Sequence, residues 1–198
     1  MSARRGPPWI ADWNDGDIIG FSGSGIVADA INIGTYGLPR RGLSHIGIIG
    51  TWHGRQYIFE STTLNGDKPC AIMKQPIAGV QAHPLGDLSR RDGKVWRYPL
   101  ASTLSPTRLK CLRFLLLSYL GTPYDMRGAV RSAGFFLRIL RGILRKQEIS
   151  ELFCSELVAQ VLTGVKIAAI KNVSSQSPNS LVRYLNRRHI YKKRVRIK

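Results

Sequence analysis

Hydrophobic residues change period near residue 100. Before it they come in short runs or alternate with polar residues, the pattern of β-strands. After it they recur at spacings of three and four, the pattern of amphipathic helices. Residues 15–22 read as a turn leading into a short apolar strand. Residues 44–52 read as a buried strand with His45 near its start. Residues 56–63 read as a second strand, joined to it by the tight turn His53-Gly54-Arg55. In such a hairpin Glu60 lies on the strand beside His45. Shorter strands are expected over 70–74, 79–83 and 94–98, where proline, glycine and charge break the pattern. Residues 26–32 read as a short helix capped by Ser24. The glycines before it lack the full Gly-x-x-x-x-Gly-Lys-Ser/Thr pattern of a phosphate loop. A basic loop follows at 37–42.

In the second half, Ser105-Pro106 combines a capping side chain with proline at the first helical position. Leu109, Leu112, Leu115, Leu116, Tyr119 and Leu120 then line one face, and Gly121 ends the helix. Residues 127–147 form a long basic amphipathic segment. Cys154, Leu157, Val158, Val161 and Leu162 share one face of the next helix. Ser150 can cap it, and Glu151 and Glu156 suit its positive end. A polar loop at 174–179 leads to a short helix at 180–186. In the tail, Val195 and Ile197 alternate as in an edge strand. Strands followed by helices predict an α+β fold, an antiparallel sheet with helices packed at one side. The expected organisation is an arm at 1–15, pinned by Trp9 and Trp13, one domain over 16–186 with 127–147 as a basic insertion, and a basic tail at 187–198. No internal repeats occur.

Composition adds partners rather than fold. The net charge of +18 over 198 residues favours an anionic environment: nucleic acid, a phospholipid surface or an acidic polymer. Cys70, Cys111 and Cys154 are odd in number, widely spaced and free of Cys-x-x-Cys pairs. Neither a disulfide framework, a zinc motif nor a redox motif is expected, which suits a reducing compartment such as the cytoplasm. The N-terminus has arginines but no apolar run of a signal peptide behind them. No stretch reaches the ~18 apolar residues of a membrane span. Peripheral membrane association stays open.

Cys154 is the candidate for chemistry. Near the first turn of a helix, the dipole and free N–H groups can stabilise a thiolate. By itself a small buried cysteine is more often inert packing. Thiol catalysis needs a nucleophile, a base within reach and a group that orients the base. One strand-borne histidine and one acid on the next strand complete such a set with Cys154. His53, His83 and His189 read as surface residues, and Cys70 and Cys111 as structural.

The motifs in chain order are Gly16-Asp-Ile-Ile19, Ser44-His-Ile-Gly-Ile48, Phe59-Glu-Ser61, Gly121-Thr-Pro-Tyr-Asp125 and Phe153-Cys-Ser-Glu-Leu157. Together they resemble the circularly permuted branch of the NlpC/P60 papain-like superfamily, the branch of the YiiX/YebB-like proteins. The histidine strand precedes the cysteine helix, as in that branch. The resemblance covers roughly residues 16–163. It implies a permuted papain-like fold with Cys154 as nucleophile, His45 as general base and Glu60 as the acid that orients the ring. Asp17 and Tyr124 match recurrent positions near the site, and Ser155 is a further supporting position beside the nucleophile. No metal or cofactor is implied. The implied reaction is acyl transfer, the hydrolysis of an amide, peptide or thioester, with an acyl, peptide or lipid-like substrate.

The +18 charge, the insertion and the tail depart from the family pattern. They leave a second reading, a catalytically silent scaffold that binds nucleic acid or membrane. In the insertion, Arg131, Arg138 and Arg145 are seven apart and form a ridge beside an apolar stripe. That pattern fits either a core-packed helix with a solvated face or a surface helix at an anionic lipid interface. The tail arginines and lysines suit nucleic acid better.

Overall fold

The computed structural model describes residues 13–22, 42–62, 69–91, 93–123, 154–173 and 176–198. Tyr124, Ser150, Glu151, the expected helix at 26–32 and the insertion with Arg131, Arg138 and Arg145 lie outside the described residues.

The first half forms strands β1 (Ile18–Ser22), β2 (His45–Trp52), β3 (Arg55–Thr62), β4 (Gly79–Pro84) and β5 (Lys94–Tyr98). A 3-10 helix, Leu85–Arg90, connects β4 to β5. The second half forms helices α1 (Pro106–Tyr119), α2 (Cys154–Gly164) and α3 (Pro178–Arg187), followed by β6 (Val195–Arg196). The described strands join one sheet in the order β4-β3-β2-β1-β5-β6, and their pairings are antiparallel. The class is α+β.

Alternation along the strands gives the sheet two apolar faces. Ile18, Ile46, Ile48 and Phe59 face the helices and pack on Leu112, Leu116, Val158, Val161 and Leu162. Ile19, Phe21, Ile49, Ile58 and Val95 face the other way, covered by Trp13 and by Leu85 and Leu88 of the 3-10 helix. The face assigned to α2 is buried throughout. In α1 only Leu112 and Leu116 of the expected face are fully buried.

Helix starts follow their caps. Ser105 accepts from Arg108 N at 3.4 Å ahead of Pro106. Ser177 repeats the arrangement before Pro178, with a reciprocal bond to Ser180. The last helix therefore begins at Pro178 rather than at 180, because Ser177-Pro178 is the same start signal as Ser105-Pro106. No strand forms at 70–74. Lys74 N bonds back to Cys70 O at 2.8 Å with Lys74 at φ +59°, closing a turn. Residues after α3 belong to the sheet: β6 pairs with β5, and buried Tyr191 donates its hydroxyl to Gly16 O at 2.7 Å.

Candidate active site

Cys154, His45 and Glu60 meet where β2 and β3 part. The paired register of these strands runs from Ile48↔Phe59 to Trp52↔Arg55, so His45 and Ile46 lie beyond it. The freed N–H of Ile46 donates to the Cys154 sulfur at 3.1 Å instead. Cys154 is fully buried at the described start of α2. α2 brings it from the helical side of the sheet, and Ile46 is the residue over which it is held.

His45 pairs across the sheet with Phe21, and their rings lie 5.6 Å apart. Its Nε2 stands 2.6 Å from Glu60 Oε2. That leaves Nδ1 as the ring nitrogen for the thiol, which lies within hydrogen-bonding reach of the imidazole. Burial works against a charged His45 ring, but Cys154 and Glu60 outweigh it and push the pKa up to about 10. Burial also works against the Glu60 carboxylate, but Arg91, then His45 and His83, hold it well below the usual carboxylate range. A sulfur, an imidazole and a carboxylate in series are the parts of a nucleophile, base and orienter.

The supporting positions fall elsewhere. Asp17 precedes β1, four residues from the Phe21 that faces His45, roughly 13 Å along a strand. Its carboxylate accepts from Arg97 Nε at 2.8 Å, Leu100 N at 2.9 Å and Asn14 N at 3.1 Å. It fastens the start of β1 to the end of β5. Ser155 donates its hydroxyl to the carbonyl of Gln176, tying α2 to the segment before α3. Tyr124 lies outside the described residues.

Three residues at or behind the site carried no motif. Arg91 donates from Nη2 to Glu60 Oε1. His83, expected at the surface, is buried, with Nε2 at 3.6 Å from Glu60 Oε1 and 3.0 Å from Gln81 Oε1. The alternation of β4, with Gln81 and His83 on one face, was the available signal. Asn179 accepts from Leu43 N at 2.9 Å and donates to Leu43 O at 3.1 Å, pinning the backbone two residues before His45. His53 and His189 are exposed, as expected.

Among the described residues no group of three or more His, Cys, Asp or Glu is arranged to hold a metal ion. A cleft of about 370 Å³ lies elsewhere, between Trp13, Gln56, Leu100 and Arg113, and shares no residue with the Cys154 group. No described helix is long and apolar enough to cross a membrane.

No family model and no curated protein matches the sequence. Among solved structures, the chain is similar to the metalloprotein yiiX from Escherichia coli O157:H7. The identity is 19%, the match covers 91% of this chain and 87% of that one, and the TM-score is 0.50. At that identity the likeness is one of fold, and function has to be argued from the site.

Proposed function

We propose that this protein is a thiol-dependent hydrolase of the permuted papain-like kind, acting on an amide, peptide or thioester. The observation that carries this is the unbroken contact from Cys154 through His45 to Glu60. His45 takes the thiol proton, giving a thiolate–imidazolium pair. The thiolate attacks an acyl carbon, and backbone N–H groups at the start of α2, including that of Cys154, receive the oxyanion. His45 then protonates the leaving group, and water resolves the thioacyl-enzyme. Glu60 keeps the ring turned through both steps and supports it while it carries the proton.

Full burial of Cys154 means that a substrate reaches the sulfur only when covering residues part. A small neutral probe such as iodoacetamide suits the test. Cys70 is equally buried and serves as the internal control. Cys154 is expected to label faster than Cys70 and Cys111 at mildly acidic pH, where an ordinary thiol is protonated. Cys154→Ala should abolish any hydrolysis and leave the fold intact, His45→Ala should be nearly as damaging, and Glu60→Gln milder. Labelling of Cys154 no faster than Cys70 at the lower pH, or full hydrolysis by Cys154→Ala, would rule the reading out.

The charge favours a binding role beside catalysis. No acidic residue follows Glu156, while lysines and arginines continue to Lys198. We propose that the insertion ridge Arg131, Arg138 and Arg145 meets an anionic membrane. The competing reading keeps the basic surface, now as a nucleic-acid or membrane binder, and gives up catalysis. The Cys154 labelling experiment separates the two.

A further inference from the structure

We propose that Arg91, held in place by Lys198, is the positioning residue that keeps the Glu60 carboxylate aligned on His45. The proposal rests on the thiol-hydrolase reading above and assigns that site a fourth member.

Each Glu60 oxygen has its own close partner. Oε2 meets His45 Nε2 at 2.6 Å, and Oε1 receives Arg91 Nη2. His83 Nε2 stands further from Oε1, at 3.6 Å. A carboxylate as buried as Glu60, with its side chain 1% exposed, takes up a proton unless a cation holds it charged. Two of the described groups beside it are histidines, whose charge depends on a bound proton, whereas the Arg91 guanidinium is charged at every working pH. Protonated Glu60 would no longer support the imidazolium, and the thiolate would lose its counter-ion.

Arg91 is itself fixed from two sides. Its guanidinium lies 4.7 Å over the Phe21 ring, and that ring lies 5.6 Å from the His45 ring. Arg91, Phe21 and His45 thus lie side by side in series, with the Phe21 ring in contact with the guanidinium. Its backbone ends the 3-10 helix, with Arg91 N on Leu88 O at 3.2 Å. The ammonium of Lys198 then donates to Arg91 O at 2.7 Å and Ser89 O at 3.2 Å, a cation on the carbonyl end of a helical turn. Lys198 O accepts from Val95 N at 3.2 Å, which anchors it on β5. The described chain after α3 is therefore tied through the Lys198 ammonium to the backbone of Arg91.

The 3-10 segment is already seated by Leu85 and Leu88 in the core. Arg91, with its side chain 32% exposed, is therefore not needed to bury it. The groups facing His45 are Cys154 from α2 and Glu60 from β3. Behind Glu60 stand His83 from β4 and Arg91. Removing Arg91 leaves Glu60 with histidines alone among the described cationic groups, so its protonation moves to higher pH, and the acid limb of Cys154 reactivity moves with it.

The first test is the Glu60 carboxyl titration, followed by carbon NMR on the full chain. Arg91→Ala should move its protonation up by about one pH unit or more, and Arg91→Lys, which keeps the charge without the fork, should move it less. If Arg91→Ala does not fold, Arg91→Lys carries the comparison. The second test is the pH profile of Cys154 alkylation by iodoacetamide. Arg91→Ala should lose rate first at the pH where its Glu60 takes up a proton, and Arg91→Lys should recover most of that rate. Lys198→Met should shift the limb in the same direction by less. A carboxyl titration unchanged in both Arg91 variants overturns the proposal even if Cys154 is reactive. A Cys154 no more reactive than Cys70 in the wild type sinks the hydrolase reading instead, whatever the titration shows.

Discussion

At single residues, the buried His45–Glu60 pair makes stability depend on pH. His45 has its pKa raised from 6.5 to about 10, so the folded state binds its proton more tightly than the unfolded chain does. Its contribution is fully present below 6.5 and is lost as the pH rises towards 10. Glu60 is shifted the other way, downward from 4.5. Its contribution is present above 4.5 and is lost as the pH falls below that value. The thermal unfolding temperature should therefore be highest between pH 4.5 and 6.5 and decline on the alkaline side. His45→Gln should flatten the decline between pH 6.5 and 10. A decline of equal depth in that variant would show that another group sets the alkaline limb. At this scale the sequence carried the types and chain order of Cys154, His45 and Glu60. Arg91 was not legible, because its role comes from a contact between positions 31 residues apart with no spacing rule to mark it.

At the scale of elements, two glycines report how closely the layers approach. A Cβ on Gly50 of β2 would lie 2.5 Å from Leu116 Cδ1 and 3.0 Å from Phe59 Cε2. Both neighbours are fully buried, so neither yields freely. A Cβ on Gly79 would lie 2.1 Å from the backbone oxygen of Thr122, at φ +137°. Gly50→Ala should cost about 1–3 kcal/mol by overpacking. Gly79→Ala should cost more, because a rigid backbone atom and a strained φ add to the clash. Urea unfolding measures both, and a Gly79→Ala cost below that of Gly50→Ala would contradict the packing of β4 against residue 122. Strand and helix periods were legible here, as was the Ser105-Pro106 start. The expected strand at 70–74 was not, since Cys70-Ala-Ile-Met carries an apolar run while a local bond from Lys74 closes it into a turn. Local chemistry outweighed the hydrophobic pattern there.

Over the whole molecule, the excess positive charge is carried by two different kinds of segment. The tail is part of the sheet: Arg194 lies 4.1 Å over the Trp96 ring, and Lys192 N bonds Pro99 O at 2.8 Å. The ridge Arg131, Arg138 and Arg145 lies outside the described residues, and its membrane role is tested by binding. Co-sedimentation with anionic liposomes should be strong at low salt and weaken at high salt, as screening shortens to a few ångströms at about 1 M. Changing the three arginines together to Gln should reduce it. A parallel duplex-DNA titration should respond less to that change. If the triple variant sediments as well as wild type, another surface meets the lipid.

By itself the sequence determined what depends on neighbours along the chain: the strand and helix periods, the Ser105-Pro106 start, the apolar face of α2, and the types and chain order of Cys154, His45 and Glu60. It also determined the net charge, since charge needs no fold. Only the tertiary structure decided what depends on approach between distant segments. The splaying of β2 from β3 opens Ile46 N–H to the sulfur. Asp17 turns out to anchor β1 rather than to serve the cysteine. Arg91 reaches Glu60, and Lys198 reaches the Arg91 carbonyl, from the face of the sheet away from the helices. Periodicity is written into consecutive residues, whereas the partner of a buried charge is chosen by whichever side chain the packed layers bring within a few ångströms of it.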